Sequence, residues 1–400
     1  MRVLNVVSLG YSAGGAETHV RELSNVLRAR GHVVAAFASD IGPSDGRFDD
    51  YTFARVPERG FGKLVGTVYN RAARRSLREA LDAFEPDVVV LHTLQQVTPA
   101  PLFELAHVPT VMLVHGPEIY TRQLLIWSLA SGDFRTFDIR RLSNLTAAGM
   151  AHYAFYRAIC DPLYRIAFRR VDEIVTFSAY MRDLLRKEGL AATYIPLGVT
   201  LFDPAPLPAD LASILYVGRI EWNKGVFTLL DAFAGVLRSH PNARLVLAGE
   251  GAHLDRLKSE ARRQGIDGSM EYLGRVGRTD LQAVYASCGI VVIPSIFVEA
   301  FGKVGPEALS VGRPVIASDS GGIREWLQPG LNGLLVRPGD ARSLESSLLS
   351  LMENTTELER LSGNAAGSVA HLSIERHADQ FEALLERVAR HLRPGHESAP

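Results

Sequence analysis

Along its whole length the chain alternates short runs of β-branched and aliphatic residues with longer stretches in which apolar positions recur every three or four residues. In the first half the runs at 2–8, 32–38, 87–91, 110–114, 173–176 and 193–195 predict strands. Between them lie helical patterns such as 16–30, where Val20, Leu23, Val26 and Leu27 share one face and Gly31 supplies the stop. A second alternating series follows, with strands predicted at 214–217, 244–248, 271–273, 290–293, 314–317 and 333–336. Its helices include 226–238 and 281–286, the latter capped by Thr279 or Asp280. Near the end, 373–376 opens a helix running toward Leu392, with Phe381, Leu384, Leu385 and Val388 as its apolar face. Strands that read as continuous apolar runs and alternate with helices imply parallel sheets covered on both faces, an α/β fold in which ligands gather at the carboxyl ends of the strands.

Between the two series Pro196, Pro204, Pro206 and Pro208 prevent either a helix or a central strand from running through. The expected organisation is a first α/β domain over 1–196, a linker over 197–212, a second α/β domain over 213–372, a final helix over 373–393 and a loose polar tail over 394–400. Four hundred residues agree with two domains, each large enough to bury its own core. A formal net charge of −1 gives no support to a nucleic-acid binder. The two cysteines, Cys160 and Cys288, have no metal or redox spacing and read as core thiols of a cytoplasmic protein. The apolar run after Met1 is broken by Asn5 and leads into a glycine loop, so a first strand is expected there rather than a signal peptide. No run is long enough to span a bilayer, which leaves only contact with a membrane from outside.

The densest chemistry lies in 295–309, Ser-Ile-Phe-Val-Glu-Ala-Phe-Gly-Lys-Val-Gly-Pro-Glu-Ala-Leu, directly after the strand run 290–293. Gly302 lets backbone come close to a bound group, and Pro306 fits a first helical turn, so a helix is expected to begin between them. Such a start aims N–H groups and the positive end of the helix dipole at an anion. Glu299 and Glu307 flank it, suited to accepting hydrogen bonds from hydroxyls on either side of a phosphate. A nucleotide-sugar offers that order of groups.

This stretch, with Gly312-Arg313-Pro314-Val315-Ile316-Ala317-Ser318, Gly321-Gly322-Ile323-Arg324-Glu325 and Asn332-Gly333-Leu334-Leu335-Val336, resembles the signature of the retaining glycosyltransferases of family 4. The resemblance implies the glycosyltransferase-B architecture, two Rossmann-like domains with parallel sheets facing across a cleft, and a last helix that returns to the first domain. It further implies transfer of a glycosyl group from a nucleotide-diphosphate sugar to an acceptor hydroxyl with retention of anomeric configuration. Lys303 and Pro306 depart from the family pattern. Lys303 either strengthens donor binding or points to solvent.

The remaining candidates surround that signature. Arg219, at the end of the strand run 214–217, and Lys224 are placed to neutralise a departing diphosphate, and Arg-x4-Lys-Gly matches the family pattern. By resemblance Glu299 orients the donor sugar, Glu307 holds ribose hydroxyls, and Phe301, Gly302, Lys303 and Val304 form the phosphate loop. The stretch Ala248-Gly249-Glu250-Gly251 shapes the pocket, and the backbone near Arg275 and Val276 receives the nucleobase. Gly15, in Gly14-Gly15-Ala16-Glu17, is either a loop facing the donor phosphate or an ordinary strand-to-helix turn, and it lacks the Gly-x-Gly-x-x-Gly spacing of a nicotinamide site. Gly321-Gly322 reads either as another close-approach loop or as helix punctuation. His115 is implied as a sugar contact, with His92 on the neighbouring strand and Glu118 just beyond. The long segment 115–170, rich in arginine and aromatic residues, is either a helical cover or a surface for an anionic or membrane-borne acceptor. No cofactor and no metal are expected, since paired cations take over what a metal would do. The partners expected are a nucleotide-sugar donor and an acceptor that is a saccharide, a lipid-linked group or a small molecule. The cytoplasm, or the inner face of its membrane, is the expected location. Two other functions use the same features: a nucleotide-sugar-binding regulator without turnover, and a nucleotide-sugar epimerase.

Overall fold

The computed structural model describes residues 1–11, 14–56, 66, 68–94, 97–116, 150–151 and 154–391. It divides into two compact units, the first holding the described residues up to Gly198 together with those from Ile374 onward, the second running from Val199 to Ser373.

The first unit is built on a seven-stranded sheet of order β3-β2-β1-β4-β5-β6-β7. Its strands are β1 (Arg2–Leu9), β2 (Val33–Ser39), β3 (Tyr51–Phe53), β4 (Val88–Leu91), β5 (Thr110–Val114), β6 (Glu173–Thr176) and β7 (Thr193–Tyr194), and all neighbours pair in parallel. The interior of β1 is buried throughout, Asn5 included. The helix Gly15–Ala29 buries Val20, Leu23 and Leu27 as expected, but its inner face also takes Ser24, and Val26 lies at the edge. The helix Ile374–His391 belongs to this unit and buries Phe381, Leu384, Leu385 and Val388, with His377 beside them. His377 Nδ1 donates to the Pro196 carbonyl at 2.7 Å, the only role open to a ring nitrogen facing a carbonyl oxygen.

The second unit carries a six-stranded parallel sheet of order β10-β9-β8-β11-β12-β13. Its strands are β8 (Ser213–Val217), β9 (Arg244–Ala248), β10 (Met270–Gly274), β11 (Ile290–Ile293), β12 (Val315–Ser318) and β13 (Gly333–Val336). Its core joins Ile214, Tyr216, Leu245, Ile290, Val292 and Ile316 of the sheet to Leu229, Leu230, Phe233 and Val236 of the helix Val226–Ser239. The helix expected from Leu281 starts earlier, as Arg278–Ala286, with Gly277 at its cap and neither Thr279 nor Asp280 capping it. Arg278 is drawn into the helix because its guanidinium is held by the Thr200 carbonyl and the Glu307 carboxylate.

The proline-rich stretch packs on this unit. Val199 forms a parallel bridge with Ser373, and Ala205 N donates to the Val311 carbonyl at 3.1 Å. Arg313, with none of its surface exposed, donates to the carbonyls of Tyr285, Ala205, Pro206 and Ala286. A buried guanidinium satisfied by main-chain oxygens thus clamps the linker to the loop before β12.

Candidate active site

In the second unit the ends of β8 and β11 converge. After β8 the chain makes a short turn, Trp222–Lys224, and leaves it through Gly225 at φ 74°. A side chain on Gly225 would fall 1.8 Å from the Pro294 carbonyl oxygen, so glycine alone permits both this conformation and the approach of the two loops. The Asn223 carbonyl then accepts from the N–H groups of Ile296 (3.0 Å) and Phe297 (3.1 Å). These bonds bring Lys224 Nζ to 2.6 Å from Glu299 Oε1, to which Ser295 Oγ also donates at 2.5 Å. Burial alone would raise the Glu299 carboxyl. Lys224, Ser295 and Arg219 outweigh it and hold Glu299 below the usual carboxylate value, so it stays ionised. Arg219 is fixed at its backbone by Tyr216, whose hydroxyl donates to its carbonyl at 2.6 Å. Its guanidinium is 56% exposed and pairs with Glu221 at 2.9 Å, leaving it able to turn to a ligand.

Glu299 leads into the glycine turn that precedes the next helix. Gly302 takes φ 82°, Lys303 occupies the cap position, and the helix runs Val304–Ser310 with Pro306 in its first turn. Trp326 supports this turn from behind, its indole N–H donating to the Phe301 carbonyl at 2.6 Å and its ring lying where a side chain on Gly305 would sit. Gly321-Gly322 opens the short helical turn Gly321–Glu325 and also approaches closely, a side chain on Gly321 falling 2.2 Å from the Glu299 carbonyl oxygen and Gly322 N donating to that carbonyl at 2.8 Å. Ser320 Oγ donates to the Phe297 carbonyl at 2.8 Å.

Glu307 is 5% exposed. Arg278 donates to its Oε1 at 2.6 Å and the Tyr285 hydroxyl to its Oε2 at 3.1 Å. A carboxylate has about four lone-pair directions, so both oxygens keep capacity for a ligand hydroxyl. Lys303 does not reach into solvent: its side chain is 10% exposed and its Nζ lies 3.9 Å from Glu307 Oε1. Arg275 and Val276 follow β10, with Arg275 exposed and Val276 half-buried.

In the first unit Gly15 opens its helix, and a side chain built there would meet no atom within 4 Å. Local packing does not demand glycine at that point, and the space beside it is open. His115, just past β5, is half-buried, with its ring 5.0 Å from Phe177, 5.3 Å from His92 and 5.6 Å from His19. Burial, with His377 adding to it, lowers His115 to about 3. His92, 3% exposed, stands behind His115 with both ring nitrogens engaged by protein, so it is not placed to meet a sugar. Glu118 and the arginine-rich segment through 149 lie outside the described residues, as do 152–153.

Arg278, Tyr285, Trp326 and Asn5 escaped sequence reasoning. Arg278 and Tyr285 are seven apart and therefore share one helix face, which was a legible signal. Asn5, a lone amide in a buried apolar strand, was another. Among the described residues no group of three or more histidine, cysteine or acidic side chains could hold a metal ion, and no helix is long and apolar enough to cross a membrane.

Comparison with known proteins bears on both units. Residues 200–367 match the family described as Glycosyl transferases group 1, and residues 13–201 match Glycosyltransferase Family 4. The glycogen synthase of Mycobacterium tuberculosis is 28% identical over 395 residues, covering 90% of this chain and 88% of that protein. The phosphatidyl-myo-inositol mannosyltransferase of Mycobacterium leprae is 27% identical over 383 residues and 94% of each chain. Among solved structures, sucrose-phosphate synthase from Thermosynechococcus elongatus superposes with a TM-score of 0.77 at 21% identity, over 98% of this chain and 99% of its own. Anabaena HepE, in complex with UDP and glucose, gives 0.71 at 20% identity, over 96% and 99%. These likenesses identify the two parallel-sheet units as those of the glycosyltransferase-B fold. With matches that run almost continuously from residue 13 to residue 367, the chain belongs to glycosyltransferase family 4 and is a glycosyltransferase.

Proposed function

We propose that this glycosyltransferase uses a nucleoside-diphosphate sugar as donor and transfers its glycosyl group with retention of configuration. The observation that carries the reading is the cluster of Lys224, Ser295 and Glu299 at the converging ends of β8 and β11, with Arg219 close enough to stabilise the Glu299 charge. An ionised carboxylate held by an ammonium, beside a glycine turn and a helix start, suits a ligand that pairs sugar hydroxyls with a diphosphate. Lys224 and Arg219 stabilise the charge that develops on the departing diphosphate, and Glu299 orients the sugar. Glu307 accepts from ribose hydroxyls, its rotamer set by Arg278 and Tyr285. The paired cations take the place of a divalent metal. Gly15 leaves room for a donor phosphate, and His115 contacts the sugar. The leaving phosphate assists the acceptor on the face it departs from, so Glu299 is not a nucleophile. That HepE has been captured with UDP and glucose supports such a donor. Two buried free thiols support a reducing, cytoplasmic setting.

A thermal-shift panel of UDP-, GDP- and ADP-sugars tests the donor class, since a ligand at 100 times its dissociation constant adds about 2.7 kcal/mol of stability. No shift with any of them would contradict the reading. Titration calorimetry with the matching nucleoside diphosphate separates the two glutamates. Glu307→Ala is expected to weaken binding by about 10- to 100-fold, the worth of ~1–3 kcal/mol of lost charged hydrogen bonds. Glu299→Gln is expected to keep nucleotide affinity while turnover falls. Equal loss of affinity in both variants would remove the assigned roles.

A further inference from the structure

The buried polar groups behind His115 are not used by the reaction as described above, yet they form a continuous line in the first unit. Asn5 Nδ2, in the middle of β1, donates to Ser24 Oγ at 3.1 Å, on the inner face of the helix Gly15–Ala29. The other end of the same amide, Oδ1, lies 2.9 Å from His92 Nε2. The opposite ring nitrogen, His92 Nδ1, lies 3.0 Å from His115 Nε2. Asn5, Ser24 and His92 are each at most 5% exposed, so water does not compete for these bonds. His92 is further pinned by its backbone N–H, which donates to the Val6 carbonyl at 2.9 Å.

A neutral imidazole has one N–H, and an amide oxygen can only accept. With Asn5 Oδ1 facing it, His92 must carry its proton on Nε2. Its Nδ1 is then a bare acceptor, and the group opposite it must donate. That group is His115 Nε2. A neutral His115 that spends its single proton on His92 has an unprotonated Nδ1, so its remaining nitrogen can accept a hydrogen bond from a hydroxyl but cannot donate one.

We infer that Asn5 and His92 are positioning residues that fix His115 as the Nε2-protonated tautomer, so that it meets the donor sugar through Nδ1 as an acceptor for a sugar hydroxyl. The inference rests on the reading of His115 as the sugar contact and deepens it by assigning the polarity of that contact. Outer partners that fix the tautomer and ring orientation of a metal-bound histidine cost about 10- to 100-fold when lost, and a loss of that order is expected where the ring meets a sugar instead. It also explains why the first strand accepts an amide at a position where every strand neighbour is apolar.

Proton–nitrogen correlation spectra of the imidazole groups in the donor-free protein test the tautomer without reference to activity. Both His92 and His115 are expected to show the proton on Nε2. A proton on Nδ1 of His115 would overturn the proposal, because it requires the amide of Asn5 and the whole line to run the other way. Two substitutions test the consequence. His92→Gln can still donate to Asn5 Oδ1 and accept from His115, so most of the turnover should be retained. His92→Leu keeps bulk without an acceptor and should lower kcat by about 10- to 100-fold while nucleoside-diphosphate affinity stays unchanged. Equal impairment of the two variants would overturn the positioning role. If His115→Ala retained full turnover, the sugar contact itself would be wrong, and that failure is distinct because the tautomer spectra would still read Nε2–H.

Discussion

Lys224→Ala is expected to produce the largest loss of activity of any single substitution on the donor side. Removing one donor that stabilises developing charge commonly costs ~3 kcal/mol, or about 100-fold in turnover. Here a second effect adds to it, because Lys224 Nζ also neutralises Glu299, whose side chain is 13% exposed. With the ammonium gone, burial dominates and the Glu299 carboxyl rises toward neutrality, so the acid limb of the pH–rate profile should move to higher pH. The sign is fixed by the cause: Lys224 favours the charged form, and its loss favours the protonated one. Arg219→Ala should also lower turnover strongly but leave the acid limb closer to wild type, since Arg219 is the last and smallest of the influences that hold Glu299 ionised. Steady-state rates from pH 4 to 9 would check both effects, the range being set by the ordinary carboxylate value of about 4.3. A Lys224→Ala enzyme with wild-type rates would remove the diphosphate assignment.

The second large effect concerns stability. Arg313→Met keeps much of the side-chain volume and is expected to destabilise the protein by more than about 4 kcal/mol, beyond the range of most substitutions. The guanidinium is wholly buried and donates to the carbonyls of Tyr285, Ala205, Pro206 and Ala286, with a longer bond to that of Gly312 at 3.5 Å. Each acceptor left unsatisfied in the interior costs roughly 1–3 kcal/mol. Removing a buried cation relieves its desolvation, and burial does lower the Arg313 pKa, but the carbonyls that surround it cannot be removed with it. Urea unfolding measures the difference. An unchanged midpoint would mean that the linker carbonyls find water and that the clamp is not needed.

The elements were legible where one physical rule dominates. Strands of a parallel sheet are buried on both faces, so β11 (Ile-Val-Val-Ile) and β4 (Val-Val-Val-Leu) read as continuous apolar runs. The edge strand β3 has three residues, too few for a period, and was not expected from the sequence. Ser24 lies four residues after Val20 and three before Leu27, so the helical period already puts it on the buried face; what periodicity does not carry is that Asn5 of β1 meets it there. In the site, the residues that touch one another within a motif were legible. Lys224 with Glu299 was expected as two nearby groups, though not as a bonded pair. That Arg278 and Tyr285 share a helix face was legible from their spacing, but that this face meets Glu307, 29 and 22 residues further on, is decided by the fold alone.

The central claim, retaining transfer from a nucleoside-diphosphate sugar, is tested most directly by proton NMR of the anomeric region during turnover of whichever donor stabilises the protein. Retention requires that the new glycosidic bond, or the first-formed free sugar where water is the acceptor, carry the donor's own anomeric configuration. A first-formed product of inverted configuration would contradict it.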